Sequence, residues 1–269
     1  MKNNYKNNIL QYVRSLGITE VGVAGDGRTY SNIVCLFPYF VGKKEGSNLS
    51  MYAYGKDYHV LVEAYLVQIQ AYIYKLFPKA SFSIHVDKGD GDDKAVAYSA
   101  GLGFFGKNSL LINDTYGSYV FIGYIKTDII LPPDAPLNKS CLNCGACISA
   151  CPGKAIKDGI VQTELCASAI SQKRGSLTDK EAEILIKSGL AWGCDTCQLV
   201  CPHNKHVETT PLSPFQKDLQ YAISPFVISN RAFQAAYKDR AFSWRGKSVL
   251  NRNLEIINMH TNASADHNK

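Results

Sequence analysis

Apolar positions recur with two different periods over the first 130 residues. Tyr5, Ile9, Val13 and Leu16 stand three or four apart, which predicts a helix over 3–16. Short β-like runs follow at 18–24 and 33–37. The stretch from Asp57 to Phe77 reads as a long helix that Pro78 closes. Further strands are predicted at 82–86, 109–112 and 118–126, the last alternating and rich in aromatic and β-branched residues. Strands alternating with helices predict an α/β layer domain over 1–130. Two proline-rich breaks, at 131–136 and 209–214, bound a cysteine-dense segment, so the expected division is 1–130, 131–208 and a helical extension over 209–269.

Composition adds little to this outline except in its cysteines. No apolar run reaches the roughly 18–20 residues that span a bilayer, and the polar start MKNNYKNNIL lacks the pattern of a signal peptide, so a cytoplasmic protein without membrane contact is expected. Nine cysteines in such a chain point to metal or redox chemistry rather than to disulfides.

Eight of the nine form two motifs. Cys141, Cys144, Cys147 and Cys151-Pro152 have the CxxCxxCxxxCP spacing of bacterial ferredoxins; Cys194, Cys197 and Cys201-Pro202 repeat its end, and 27 residues separate Cys166 from Cys194. Thiolates two residues apart wrap one cube along a tight loop, while the cysteine before proline points away to the other cube. One cluster is then expected on Cys141, Cys144, Cys147 and Cys201, and the other on Cys151, Cys166, Cys194 and Cys197. Paired CxxC motifs can also bind zinc, but two CP endings at this spacing favour two [4Fe-4S] clusters. Cys35, in an apolar run, reads as a buried structural thiol. The formal charge of +6 falls toward about +2 once two clusters of about −2 each are counted, so net charge does not point to nucleic acid. About 130 residues precede the cysteines, more than an electron carrier alone requires, so that segment is expected to hold the electron acceptor.

These motifs, with others before and after them, resemble the epoxyqueuosine reductases, cobalamin-dependent iron–sulfur enzymes of tRNA modification. Tyr52-Ala53-Tyr54-Gly55-Lys56-Asp57-Tyr58-His59 looks like that family's YAxGRDYH, Val86-Asp87 like its VDSAP, and Ala100 to Ser109 like its AGLGWxGKxS. Gly117-Ser118, Ile122-Gly123, the run from Gly193 to Pro202, and Ala241-Phe242-Ser243-Trp244-Arg245-Gly246-Lys247 continue the likeness. The resemblance implies a nitroreductase-like α/β domain that cradles cobalamin against a ferredoxin-like double-cluster domain, with a short helical segment after it. It implies Asp87 as the acid that protonates the epoxide oxygen, and Ser50, Asp87, Leu111, Ile122 and Ser168 near the corrin. It also implies an external electron donor of flavodoxin or ferredoxin type, tRNA as a partner, and a monomer.

The sequence departs from the family at several points. Lys88-Gly89-Asp90 stands where the family has Ser-Ala-Pro, and Asp93-Lys94 where it has a glutamate–arginine pair. Lys56 replaces an arginine, Met51 stands where an arginine often does, and only about eight residues separate Ala24 from Ile33, where the family has a helical insertion. The C-terminal helical repeat is expected to be reduced to a stub ending near His260. Two other readings therefore stand beside the first: a related corrinoid reductase or activator with a different substrate, and a two-cluster electron-transfer protein with a docking domain.

Four features admit two interpretations each. Gly101, Gly103 and Gly106 spell GxGxxG but are expected to end a helix and enter a strand rather than to bind a dinucleotide. His59 is either structural or an axial ligand to cobalt, and His203 either tunes a cluster or faces solvent. Arg231, Lys238, Arg240, Arg245, Lys247 and Arg252, interleaved with Phe233, Tyr237, Phe242 and Trp244, form either an RNA-facing patch or an amphipathic packing face.

Overall fold

The computed structural model describes residues 2–87 and 92–266. The departures at Lys88, Gly89 and Asp90 lie outside them. Helix α1 (Lys2–Ser15) leads into strands β1 (Val21–Gly25) and β2 (Ser31–Pro38). Then come α2 (Tyr58–Leu76), β3 (Phe82–Val86), α3 (Asp93–Ser99), the two-residue strands β4 (Phe104–Phe105) and β5 (Leu111–Ile112), and β6 (Val120–Thr127). The main sheet has the order β1-β2-β6-β3.

Every pairing in that sheet is antiparallel, and the fold is a mixed α/β layer. The reason is local. The Asp26 carboxylate accepts from the backbone N–H of Arg28 and Thr29 and closes a tight turn between β1 and β2. A parallel crossover needs a dozen residues or more.

The pleat sorts β2 between two cores. Ile33, Cys35 and Phe37 join Val62, Leu66, Ile69 and Ile73 of α2 and Ile9 and Val13 of α1 in the larger one. Val34 and Leu36 join Ala97 of α3 and Tyr124 in the smaller. All of β2 is buried because helices cover both faces of the sheet. Helix α2 lies against β6 at Gly123, where a Cβ would stand 2.5 Å from Val62 Cγ1. Burial holds the Cys35 thiol well above its ordinary pKa, as expected of a structural cysteine.

The glycine-rich segment ends a helix, as its sequence implies. Gly101 follows the cap of α3 with φ 73°, and the chain then turns through the β4–β5 pair. Of the predicted strand over 109–112 only Leu111–Ile112 pairs, since Ser109 sits in the turn at φ 59°.

The cysteine segment carries α4 (Ala146–Ala150), β7 (Ile156–Lys157), β8 (Ile160–Val161), α5 (Ala167–Ser171), α6 (Asp179–Ser188) and α7 (Thr196–Leu199). Thr178 and Glu181 cap α6 reciprocally, and Gly189 ends it at φ 68°. The last helices are α8 (Asn230–Tyr237) and α9 (Lys247–Asp266). Trp192, Phe215, Phe233, Phe242 and Leu250 belong to the same core as α1 and α2. The cysteine segment is therefore clamped between parts of one continuous core.

Candidate functional site

The eight motif cysteines sort by proximity into two quartets. Burial pushes the Cys147 thiol up, and so do the neighbouring Cys141 and Cys201. Cys201 is raised by burial and by Cys141 and Cys144. In the other group Cys197 is pushed up to about 12 by burial and by Cys194, Cys166 and Cys151, and Cys194 is raised by burial, Asp195 and Cys166. Thiols crowded in this way resist ionisation unless a cationic centre sits among them. Among the described residues no three His, Cys, Asp or Glu side chains gather closely enough to hold a single metal ion.

Each quartet has hydrogen-bond donors aimed at its sulfurs. The Ala155 N–H donates to Cys151 Sγ at 3.3 Å. The Asn108 side chain donates to Cys197 and the Thr196 backbone N–H to Cys194, while Cys194 Sγ itself donates to Thr196 Oγ1 at 3.4 Å. The backbone N–H groups of His203 and Asn204 point at Cys201. Cys141, Cys144, Cys147 and Cys201 line an enclosed hollow together with His203 and Ile112. Asn108 is one of the residues whose role the sequence did not disclose.

The GCDTCQLVCPHN run docks this segment onto the α/β layer. Asp195 is buried and accepts from Ser50 Oγ and from the Met51 N–H at 2.9 Å. Burial raises the Asp195 acid, while Ser50 and Met51 oppose that shift. Gly193 has φ 75°, and a Cβ there would stand 2.4 Å from Ser50 Cβ. Gln198 Nε2 donates to Tyr39 Oη at 3.1 Å and to the Ser118 carbonyl at 3.0 Å, and Asn204 Nδ2 donates to Ser118 Oγ at 2.9 Å. Buried polar groups satisfied across an interface fix its register.

Asp87 follows β3 directly with φ 53°, a left-handed conformation unusual outside glycine. Tyr58 Oη donates to its Oδ2 at 2.5 Å, and its own N–H donates to Asp93 Oδ2 at 3.0 Å. Burial, then the bond to Asp87, keeps the Tyr58 hydroxyl protonated far above its ordinary range. Tyr58 lies flat on Phe121, with ring centroids 4.1 Å apart and planes 5° apart. His59 Nε2 is 3.9 Å from Asp87 Oδ2, and its Nδ1 is 2.8 Å from Asp57 Oδ1. The Asp57 carboxylate holds one ring nitrogen of His59 and the ring stacks on Tyr58, which leaves Nε2 directed toward Asp87.

Asp87, Tyr58, Asp93, Phe121 and Ile122 line a cleft of about 390 Å³. A second cavity of about 680 Å³ adjoins it through Asp92 and Lys94 and reaches Lys107, Ser109 and Cys141. Lys94 Nζ donates to the Ser109 carbonyl at 3.0 Å. Burial, and after it the neighbouring Asp87, raises the Asp93 acid. Of the residues expected around a corrin, Asp87 and Ile122 share the first cleft. Leu111 is packed in the smaller core, Ser50 faces Asp195, and Ser168 lies in α5 beside Cys166.

Three of the six basic side chains of the C-terminal segment are engaged in packing. Arg240 donates to the carbonyls of Tyr54 and Asp218, Arg252 to those of Lys173 and Gly175, and Lys247 to that of Ile228. Phe233 is buried against Phe226 and Tyr237. Trp244 is half exposed with the Arg245 guanidinium 3.7 Å over its ring. Among the described residues no helix is long and apolar enough to cross a membrane.

Residues 140–204 match the family model described as a 4Fe-4S double cluster binding domain. The epoxyqueuosine reductase of Listeria monocytogenes is 36% identical over 225 residues, which cover 80% of this chain and 58% of that protein. The chain thus spans a little over half the length of the curated relatives it matches. A crystal structure of epoxyqueuosine reductase with a tRNA-Tyr epoxyqueuosine-modified tRNA stem loop superposes with TM-score 0.84 at 26% identity, covering 96% of this chain and 81% of that one. The Bacillus subtilis epoxyqueuosine reductase superposes with TM-score 0.84 at 25% identity, covering 96% and 82%. Motifs, fold and relatives agree, and the chain belongs to the epoxyqueuosine reductase family.

Proposed function

We propose that this chain is a two-cluster iron–sulfur reductase that works with cobalamin and deoxygenates an epoxide, with epoxyqueuosine in tRNA as its substrate. The observation that carries the reading is the sorting of eight thiols into two crosswise quartets, one of which opens at Cys141 onto a cavity adjoining the Asp87 cleft. Cys141, Cys144, Cys147 and Cys201 hold one [4Fe-4S] cluster, and Cys151, Cys166, Cys194 and Cys197 hold the other. An external flavodoxin- or ferredoxin-type protein supplies the electrons.

The lining of the two cavities fits a flat, amide-rimmed cofactor. Phe121, Ile122 and the ring of Tyr58 offer an apolar wall, and Lys94, Lys107 and Ser109 offer polar groups at the rim. Cobalamin, when bound, supplies a metal centre that takes up single electrons and returns them to carbon. Leu111 and Ile122 contribute packing, while Ser50 and Ser168 act from behind through the cysteine loops that they support. Conversion of an epoxide to an alkene consumes two electrons and two protons and releases water. Asp87 delivers one of those protons to the epoxide oxygen. Tyr58 orients the Asp87 carboxyl, and Asp93, on the Asp87 backbone, fixes the chain there.

One observation favours a second reading. Asp87, Asp92 and Asp93 all line the cleft, and such an acidic mouth opposes a polyanionic partner. A related corrinoid reductase or activator with an uncharged substrate fits that charge. A two-cluster electron carrier is the third reading. Incubation of anaerobically reconstituted protein with cobalamin, a low-potential donor and an epoxyqueuosine-containing stem loop separates the three. Loss of one oxygen atom from the nucleoside is expected by mass spectrometry. Cobalamin uptake without that loss would favour the second reading, and no uptake the third.

A further inference from the structure

His203 contains a buried nitrogen that nothing in the protein satisfies. Its Nε2 is shielded from solvent and has no hydrogen-bond partner among the described residues. The imidazole lines the enclosed hollow with Cys141, Cys144, Cys147 and Cys201. Phe104 meets the ring edge-on at 5.1 Å and 69°, and the His203 backbone N–H is committed to Cys201, so the ring is held from both ends. A buried polar atom left unpaired is costly, and native structures keep few of them. Apart from the backbone and Asn108 Oδ1, which accepts from the Leu110 N–H at 3.4 Å, the acceptors bordering this hollow are sulfurs.

Resting on the assignment of that quartet to a [4Fe-4S] cluster, we propose that His203 donates a hydrogen bond from Nε2–H to a sulfur of the cluster held by Cys141, Cys144, Cys147 and Cys201, and so raises its reduction potential. Each electron added to a cluster increases the negative charge on its sulfurs, so a donor fixed against them favours the reduced state. The other quartet has a different set, the Asn108 side chain on Cys197 and the Ala155 N–H on Cys151. His203 therefore acts as a positioning residue that sets the two clusters apart in potential and gives electron flow between them a direction.

The test is a redox titration of the full, anaerobically reconstituted chain followed by EPR. In His203→Phe the ring and its contact with Phe104 are kept and the donor is lost. One of the two midpoint potentials is expected to fall, by an amount on the order of a tenfold change in the ratio of reduced to oxidised cluster. The other midpoint is expected to stay. His203→Gln, which keeps a donor, is expected to recover part of the shift. Two unmoved midpoints with all iron retained would overturn the assignment. A second readout needs no variant: in protein grown with nitrogen-15 histidine, pulsed EPR should show a histidine nitrogen coupled to the reduced cluster. Absence of that coupling would also overturn it. A wild-type protein that takes up no iron defeats the cluster assignment itself, an outcome distinct from intact clusters with unmoved potentials.

Discussion

Serine at both Cys141 and Cys201 is expected to leave about four irons per chain, whereas serine at both Cys141 and Cys197 should leave almost none. The contrast follows from the crosswise quartets. Cys141 and Cys201 stand sixty positions apart in different motifs, yet burial and mutual repulsion among Cys201, Cys141 and Cys144 raise the Cys201 thiol. Removing both damages one cluster twice and leaves the quartet of Cys151, Cys166, Cys194 and Cys197 complete. Removing Cys141 and Cys197 takes one ligand from each. If each motif instead held its own cluster, both double variants would strip iron from both sites. Iron analysis and EPR of the reduced proteins separate the outcomes, and equal iron in the two variants would contradict the pairing.

Asp87→Asn is expected to lower turnover on the order of a thousandfold while both clusters keep their iron, since general acid catalysis contributes about 10²–10⁴. Asparagine fills the same space and still accepts from Tyr58, so the cleft should persist. It has no proton to give to an epoxide oxygen. Single-turnover conversion of the stem loop, measured with prereduced enzyme, isolates this step from electron delivery. A rate within about threefold of wild type would remove Asp87 from the chemistry. Tyr58→Phe should cost less, because it disorients the acid without deleting it.

The parts of this molecule that were legible in sequence are those decided by neighbours along the chain. Val62, Leu66, Ile69 and Ile73 announced α2 by their spacing, and Pro78 its end. The double-cluster segment was legible because its cysteine spacings are written in the chain itself, and residues 140–204 match the double-cluster model. Strand direction was not, since the alternation of strands and helices is silent about it. The signal that existed was the short Ala24–Ile33 interval, too brief for a parallel crossover. Contacts between distant segments were invisible. Asp195 stood in a recognised motif, but its bond to Ser50 spans 145 positions. Tyr58 likewise lay inside a recognised motif, and its bond to Asp87 appeared only when β3 brought Asp87 to the start of α2. The basic C-terminal run divided between its two interpretations: Arg240, Lys247 and Arg252 serve backbone carbonyls, and Trp244 with Arg245 stays at the surface.

The proposed function requires thiolates from both motifs to build two inorganic cubes beside the Asp87 cleft. Metal and acid-labile sulfide analysis of protein purified without oxygen tests it most directly. About eight irons and eight sulfides per chain are predicted; one or two zinc ions with no sulfide would contradict it.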